Sequence, residues 1–353
     1  MKVLMQCNTV YQLMVAYKIK KSFFENDEVD LLISDIMNNV NNIAANIKKI
    51  NIFRNVYLQK IKNIRINKFQ RIIRPKLTNI IGVNCEFLNK IYDNFLFCNP
   101  SLQNLMILKR LIKNNKLLRA SLFEDGLATY SMHYYYLYDK NTRSITSKLN
   151  LNYLLRKVNE IYTFCPNAFV WTPNQNLIKI PSFLEDYKSC TSELNKIFDY
   201  FEDVIPEDCK TIFFEEGFFG DGKNVNDLEI VRTCIKKYGE EGFYVKTHPR
   251  NIINRFKNLN IKTLNTNSIP WELIVLNIYA RINDLTLISI SSACIFTPNL
   301  LLECTPKSIS CLNLVNNKSL LFKDIPEVEE KFIEIYDNLK YYENDSEVEY
   351  ENS

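Results

Sequence analysis

Glycine and histidine are scarce in this chain: its 353 residues carry only 7 Gly and 2 His. Two distant histidines, with no Cys-x-x-Cys pair anywhere, exclude the common zinc-ligand spacings. No Gly-x-Gly-x-x-Gly and no Walker A loop occur, so the usual dinucleotide and ATP fingerprints are missing. Long apolar runs are missing too. The uncharged run from Leu285 to Leu302 contains several serines, Pro298 and Asn299, and falls short of the ~20 mostly apolar residues of a spanning helix. At the N-terminus Gln6, Asn8, Thr9 and Gln12 interrupt the apolar stretch, and no small-residue cleavage site follows. Disorder as the main state is excluded by 46% hydrophobic against 24% charged residues, because disordered chains lack apolar surface to bury. The 10 cysteines are diluted and unclustered, which excludes a disulfide scaffold and points to buried thiols in a reducing compartment. The expected location is the cytoplasm.

What is present begins with a charge asymmetry. From Lys48 to Arg119 there are sixteen Lys/Arg against two acids, Glu86 and Asp93; from Asp324 to the end there are eleven acids against Lys331 and Lys340. A basic half of this kind suits an anionic partner, such as the inner-membrane surface or a phosphorylated glycolipid. A solvated helical surface in an AT-biased genome is the plainer alternative. No nucleic-acid module is present, so nucleic acid is not an expected partner. The acidic residues 343–353 read as a disordered tail.

Short apolar runs alternate with longer helical patterns. Val3–Met5, Val29–Ser34, Asn55–Gln59, Phe95–Cys98 and Ser121–Asp125 read as strands, and Tyr11–Lys20 and Leu105–Leu118 as helices. Asn167–Pro181 reads as irregular chain. A second series follows, with strands at Thr211–Glu216, Gly242–Pro249 and Leu285–Ser291, helices at Asp227–Tyr238 and Phe332–Leu339, and a helix or short turn at Trp271–Leu276. The fold class is α/β with parallel sheets. The expected division is 1–180 as an N-terminal Rossmann-like domain on the acceptor side, 181–205 as a linker helix, 206–322 as a C-terminal Rossmann-like domain on the donor side, and 323–342 as a closing helix. Two such domains facing a central cleft is the GT-B plan of many nucleotide-sugar transferases, though pattern alone does not separate it from other two-domain enzymes. No Asp-x-Asp triplet occurs, which disfavours the metal-dependent architecture common among such transferases.

Glu124-Asp125-Gly126 and Glu215-Glu216-Gly217 each place two acids and a glycine at a strand exit. Ligands of parallel sheets bind beyond these C-terminal strand ends. A carboxylate there can take a proton from a sugar hydroxyl, and the glycine permits a sharp turn. Helix-capping acids at an ordinary strand-to-helix turn are the competing explanation. His248 lies in Lys246-Thr247-His248-Pro249-Arg250, just past a strand. Proline fixes the backbone there, the imidazole can exchange a proton near neutral pH, and Lys246 and Arg250 would attract phosphate. Ser291-Ser292 follows another strand, where hydroxyls and N–H groups suit a phosphate. Phe219-Gly220-Asp221-Gly222 is a flexible loop that puts Asp221 near the same strand ends. His133, among aromatics and away from any strand end, reads as structural.

Taken in order, Glu124-Asp125-Gly126, His248-Pro249 and Ser291-Ser292 resemble the marks of the bacterial sialyltransferases of glycosyltransferase family 52, which act on lipooligosaccharide and capsule. Val3–Ala16 resembles that family's first strand and helix, with Thr9 and Gln12 in place. The likeness runs from about residue 3 to 300, without the basic middle and the tail. It implies an inverting, metal-independent transfer from CMP-sialic acid to a sugar hydroxyl, with no cofactor. His248 would act on the CMP phosphate, Ser291 and Ser292 would help hold it, and the base stays open between Asp125, Glu216 and Asp221. Glu124, Gly126, Lys246, Pro249, Arg250, Thr9 and Gln12 are the further substrate-binding residues expected. A related transferase with another donor, such as a glucosyltransferase, and a non-catalytic glycan-assembly protein are the rivals. Relatives in that family are often dimeric, so a homodimer is an expected partner alongside the donor, a glycolipid acceptor and the peripheral membrane surface.

Overall fold

The computed structural model describes residues 1–59, 86–131, 152–201, 203–266, 269–317 and 324–343. The middle of the basic stretch, His133 and most of the acidic tail lie outside these residues. The chain divides into two compact units, Met1–Tyr200 and Phe201–Ser353.

The first unit is built on strands β1 (Lys2–Cys7), β2 (Glu28–Ser34), β3 (Asn55–Gln59), β4 (Asn94–Phe97), β5 (Arg119–Phe123), β6 (Val158–Thr163) and β7 (Asn176–Lys179). They form one sheet in the order β3-β2-β1-β4-β5-β6-β7, and every pair is parallel. The order reverses between β1 and β4, as in the dinucleotide-binding form of this architecture. β4 is buried at every position because helices cover both faces of a parallel sheet, so central strands read as unbroken apolar runs. The helix Val10–Phe23 starts where Thr9 Oγ1 accepts the Gln12 N–H at 3.2 Å, and ends with Lys20 and Lys21 against the helix dipole. Leu4, Leu32, Phe95, Phe97 and Leu108 belong to its core.

The second unit holds β8 (Thr211–Phe214), β9 (Phe243–Lys246), β10 (Thr286–Ser289), β11 (Lys307–Ser310) and β12 (Leu339–Tyr341). Their order is β12-β11-β10-β8-β9, again parallel throughout. This is the flavodoxin-like winding, which reverses between β8 and β10. Phe213, Val231, Val245, Ile288 and Ile309 share its core.

Several expectations need correcting. The helix assigned to a linker is Tyr187–Phe198 and is part of the first unit. Asn46 donates to Ile197 O and Asp199 Oδ1, and Tyr17 to Glu193 at 2.7 Å, so polar contacts tie it to that unit's own helices. The stretch read as irregular contains the edge strand β7, whose short polar sequence Asn-Leu-Ile-Lys lacks an apolar run. The closing helix is shorter than 323–342: it spans Ile325–Ile335, and the chain then enters β12. Among the described residues every cysteine is free and all but Cys294 are buried. No helix among them is long and apolar enough to cross a membrane.

Candidate active site

In the first unit the sequence-selected residues gather at the C-terminal ends of β1 and β5. Glu124 and Asp125 follow β5, and Gly126 turns the chain with a φ of 67°, a conformation that favours glycine. The two acids have different surroundings. Glu124 is fully buried and accepts four hydrogen bonds, from Tyr11 (2.6 Å), Tyr130 (2.6 Å), Thr163 (3.0 Å) and the Phe164 N–H (2.7 Å). Burial raises its pKa, and the four donors pull the other way. Glu124 was expected to touch substrate; with its oxygens committed inside the unit it joins β5, β6 and the first helix instead.

Asp125 is partly exposed. Gln12 Nε2 donates to its Oδ1 at 2.6 Å, and its own N–H donates to Thr129 Oγ1 at 2.7 Å. The other end of the Gln12 amide accepts the Asn8 N–H at 2.6 Å. Gln12, only 2% exposed, is therefore not a free substrate contact but a brace that orients Asp125. Thr9 is exposed, with its hydroxyl engaged as the helix cap described above.

In the second unit Glu216, Asp221, Lys246, His248, Pro249, Arg250, Ser291 and Ser292 gather at the C-terminal ends of the adjacent strands β9, β8 and β10. His248 to Asn251 form a tight turn closed by the Asn251 N–H on the His248 carbonyl at 2.9 Å, with Pro249 at the position where its fixed φ suits a turn. The backbone N–H of His248 donates to Glu215 Oε2 at 3.0 Å. Arg255 donates to the other oxygen of Glu215 at 2.8 Å and also pairs with Asp227. His248 Nδ1 accepts the Arg250 N–H at 3.1 Å. A neutral ring with Nδ1 accepting carries its proton on Nε2. Burial lowers the His248 pKa to about 4, helped by the neighbouring Arg250 and Lys246 charges, so the imidazole is neutral at pH 7.

Lys246, last residue of β9, is 9% exposed, and burial lowers its pKa against the pull of Cys294 and Glu272. Arg250 is largely exposed, and its Nη1 donates to both Asp221 oxygens at 2.9 Å. A Cβ on Gly217 would lie 2.4 Å from Arg250 Nη2, and one on Gly220 would lie 2.5 Å from the Arg250 carbonyl. The glycines of this loop therefore let it pack directly on the His248 turn. Asn251 completes the junction, accepting the Gly220 N–H at 2.7 Å and donating to Glu216 O at 2.9 Å.

Glu216 extends across the order reversal, where its Oε1 accepts the Ser291 N–H at 3.2 Å. Burial raises its pKa to about 7, with Ser291, Arg250 and Lys223 pulling it down and Glu215 pushing it up. Ser292 Oγ accepts the Cys294 N–H at 3.3 Å, and the Ser292 N–H donates to Ser289 Oγ at 3.1 Å. Of the predicted residues, Pro249 and Gly126 shape backbone, Glu124 and Gln12 brace, and Asp125, His248, Arg250, Glu216 and Ser291 keep polar atoms at strand ends.

Three contributors escaped the sequence reading. Arg255 has no local signal, since its role depends on Glu215 and Asp227, which are distant in sequence. Glu272, in the first turn of the helix Trp271–Asn277, is partly exposed; burial raises its pKa, and Lys246 pulls it down. In the sequence it lies in a stretch, Trp271–Leu276, that reads only as a helix or short turn. Glu329 is fully buried, and burial pushes its pKa up to about 8; it looked like one acid among many in an acidic helix.

The profile of the family described as Alpha-2,8-polysialyltransferase matches residues 3–312. No curated protein matches the chain significantly. Among solved structures, the alpha/beta-galactoside alpha-2,3-sialyltransferase of Photobacterium phosphoreum superposes with a TM-score of 0.51 at 12% identity, over 96% of this chain and 98% of that one. A UDP-GlcNAc 2-epimerase from Methanocaldococcus jannaschii superposes with a TM-score of 0.57 at 12% identity, over 98% and 90%. These likenesses show the fold: two α/β units in series, the GT-B arrangement of parallel sheets.

Proposed function

The chain belongs to the alpha-2,8-polysialyltransferase family and is a glycosyltransferase; on that premise we propose that it moves sialic acid from CMP-sialic acid to a hydroxyl of a surface glycan, with inversion and without a metal ion. The observation that carries this reading is the His248 ring. Its Nδ1 is occupied by the Arg250 N–H, so a neutral imidazole presents Nε2–H as a fixed donor. A phosphate monoester has a second pKa of about 6, so the departing CMP needs hydrogen bonds and positive charge more than a proton. Fixed donors aimed at the developing anion are the largest expected contribution to rate. Lys246 and Arg250 would supply positive charge. Incoming phosphate charge would draw the His248 pKa back up.

In the first unit Asp125 is the base. It is partly exposed, and Gln12 fixes its orientation at 2.6 Å. Asp125 takes the proton of the acceptor hydroxyl as that oxygen attacks the anomeric carbon, and the bond to the CMP phosphate breaks on the opposite face. The family description supports an acceptor that itself ends in sialic acid. Kinship with glycosyltransferase family 52 and a lipooligosaccharide or capsule acceptor form the finer part of the proposal, carried by the ordered motifs.

The test is release of CMP from CMP-sialic acid in the presence of oligosialic acceptor, with UDP-glucose as the competing donor. Wild type should turn over only the CMP sugar, and His248→Ala should lose about 10²-fold or more. Near-normal turnover by that variant, or release of UDP from UDP-glucose, would refute the assignment.

A further inference from the structure

The N–H groups of Ser291, Ser292 and Cys294 at the exit of β10 are engaged. Ser292 gives its N–H to Ser289 Oγ, and Cys294 gives its own to Ser292 Oγ. The Ser291 N–H goes to a carboxylate oxygen that arrives from the neighbouring strand, Glu216 Oε1 at 3.2 Å. β8 and β10 are paired, Phe214 opposite Ser289, and they flank the point where the sheet order reverses and ligands bind. A carboxylate oxygen and a phosphate oxygen are the same kind of acceptor for a backbone N–H. Two anions cannot share this donor without strong repulsion.

We propose that Glu216 is a stand-in anion: it holds the phosphate seat at Ser291 and yields it when the nucleotide arrives. The inference rests on the reading of the second unit as the donor-binding half. It gives Glu216 a role in gating donor affinity rather than in taking the acceptor proton.

Proton linkage follows from the surroundings of Glu216. Arg250 from the turn after β9, Lys223 from its own loop and the Ser291 N–H stabilise the carboxylate, while Glu215 beside it opposes it. Glu329, from the helix Ile325–Ile335, and Cys294, past β10, also interact electrostatically with Glu216, whose negative charge raises the pKa of each. An arriving phosphate removes the Ser291 N–H and adds negative charge. Both changes favour the protonated carboxyl, so one proton is taken up from solvent as the nucleotide binds. In the free protein the group titrates near 7. Nucleotide affinity therefore falls as pH rises above about 7, by up to about tenfold per unit for one linked proton. His248 titrates near 4 in the free protein, and a proton gained there as its pKa climbs on binding persists in Glu216→Gln, so the difference between the two proteins isolates Glu216. CMP itself is already a dianion above about pH 7, with a second pKa of about 6.

Titration calorimetry with CMP from about pH 6.5 to about pH 8.5, a range that starts just below the Glu216 value and extends above it, in two buffers of different ionisation enthalpy, tests the proposal. Wild type should take up close to one proton more than Glu216→Gln at the alkaline end. Glu216→Gln, which keeps the acceptor but not the charge, should bind more tightly there and lose that part of the slope. Glu216→Ala, which clears the seat, should bind at least as tightly as Glu216→Gln. Equal affinity and slope in wild type and Glu216→Gln, or weaker binding by both variants with unchanged melting temperature, would overturn the role of Glu216 and leave the donor reading standing. Failure of wild type to bind CMP at any pH would overturn the donor reading, and this inference with it.

Discussion

Replacing Glu124 in two ways separates a bracing acid from a substrate contact. Glu124→Ala removes the acceptor of four donors. Tyr11 is partly exposed and regains water. Thr163 keeps Tyr130 Oη as an acceptor at 3.0 Å. One hydroxyl hydrogen of the Tyr130–Thr163 pair and the Phe164 N–H then lose their carboxylate acceptor in a buried site. At about 1–3 kcal/mol for each unsatisfied buried group, the loss is about 2–6 kcal/mol. For a unit of this size that corresponds to a fall in melting temperature on the order of 10 °C. Glu124→Gln should behave quite differently. Its amide oxygen can face Tyr130, Thr163 and Phe164, while its NH₂ donates to Tyr11. Folding raises the Glu124 pKa, so the stability tied to this group is full below the ordinary glutamate value of about 4.3 and declines as pH rises toward the folded value. Glutamine abolishes that decline, so Glu124→Gln should melt close to wild type at neutral pH and retain turnover. Thermal melts and CMP-release assays on both variants provide the check. A Glu124→Gln protein that melts normally but has lost turnover would refute the bracing role and return Glu124 to the substrate site.

Three further outcomes follow from the geometry. Arg255→Met should leave Glu215 and Asp227 buried without their partner and destabilise the second unit by about 3–5 kcal/mol, read by denaturant unfolding. Gly220→Ala should place a methyl against the Arg250 carbonyl and displace the His248 turn. Displacements near 1 Å cost about 10²-fold, so kcat should fall by that order while the circular dichroism spectrum is retained. Gln12→Leu should free Asp125 from its brace; kcat should drop about tenfold or more while the KM for donor stays within about twofold, because the variant acts on the acceptor's proton.

Much of the fold was legible because parallel sheets buried on both faces leave apolar runs in the sequence. Asn55–Gln59 and the helix Asp227–Tyr238 coincide with their expected limits. Legibility failed where an element owes its place to neighbours. β7 and β12 are short, polar edge strands recruited by the ladder beside them. The helix Tyr187–Phe198 has an amphipathic pattern that marks a helix but cannot say which unit receives its apolar face. At the candidate site the motifs marked the strand exits, since Gly126 and Pro249 reveal where the backbone must turn. They could not distinguish Glu124 from Asp125, adjacent in sequence yet one wholly buried and the other partly exposed. Nor could they show Arg255 reaching Glu215 across forty residues. Burial and long-range pairing decide such roles, and neither is written in a tripeptide.

The central claim is a neutral His248 whose Nε2–H awaits the phosphate. With only 2 histidines in the chain, a His133→Gln background leaves one imidazole to follow by long-range ¹H–¹⁵N NMR. The account predicts a ring protonated on Nε2 at pH 7, with a pKa near 4 that climbs when CMP is added. A ring protonated on Nδ1, or one titrating near the ordinary 6.5 and indifferent to CMP, would contradict it.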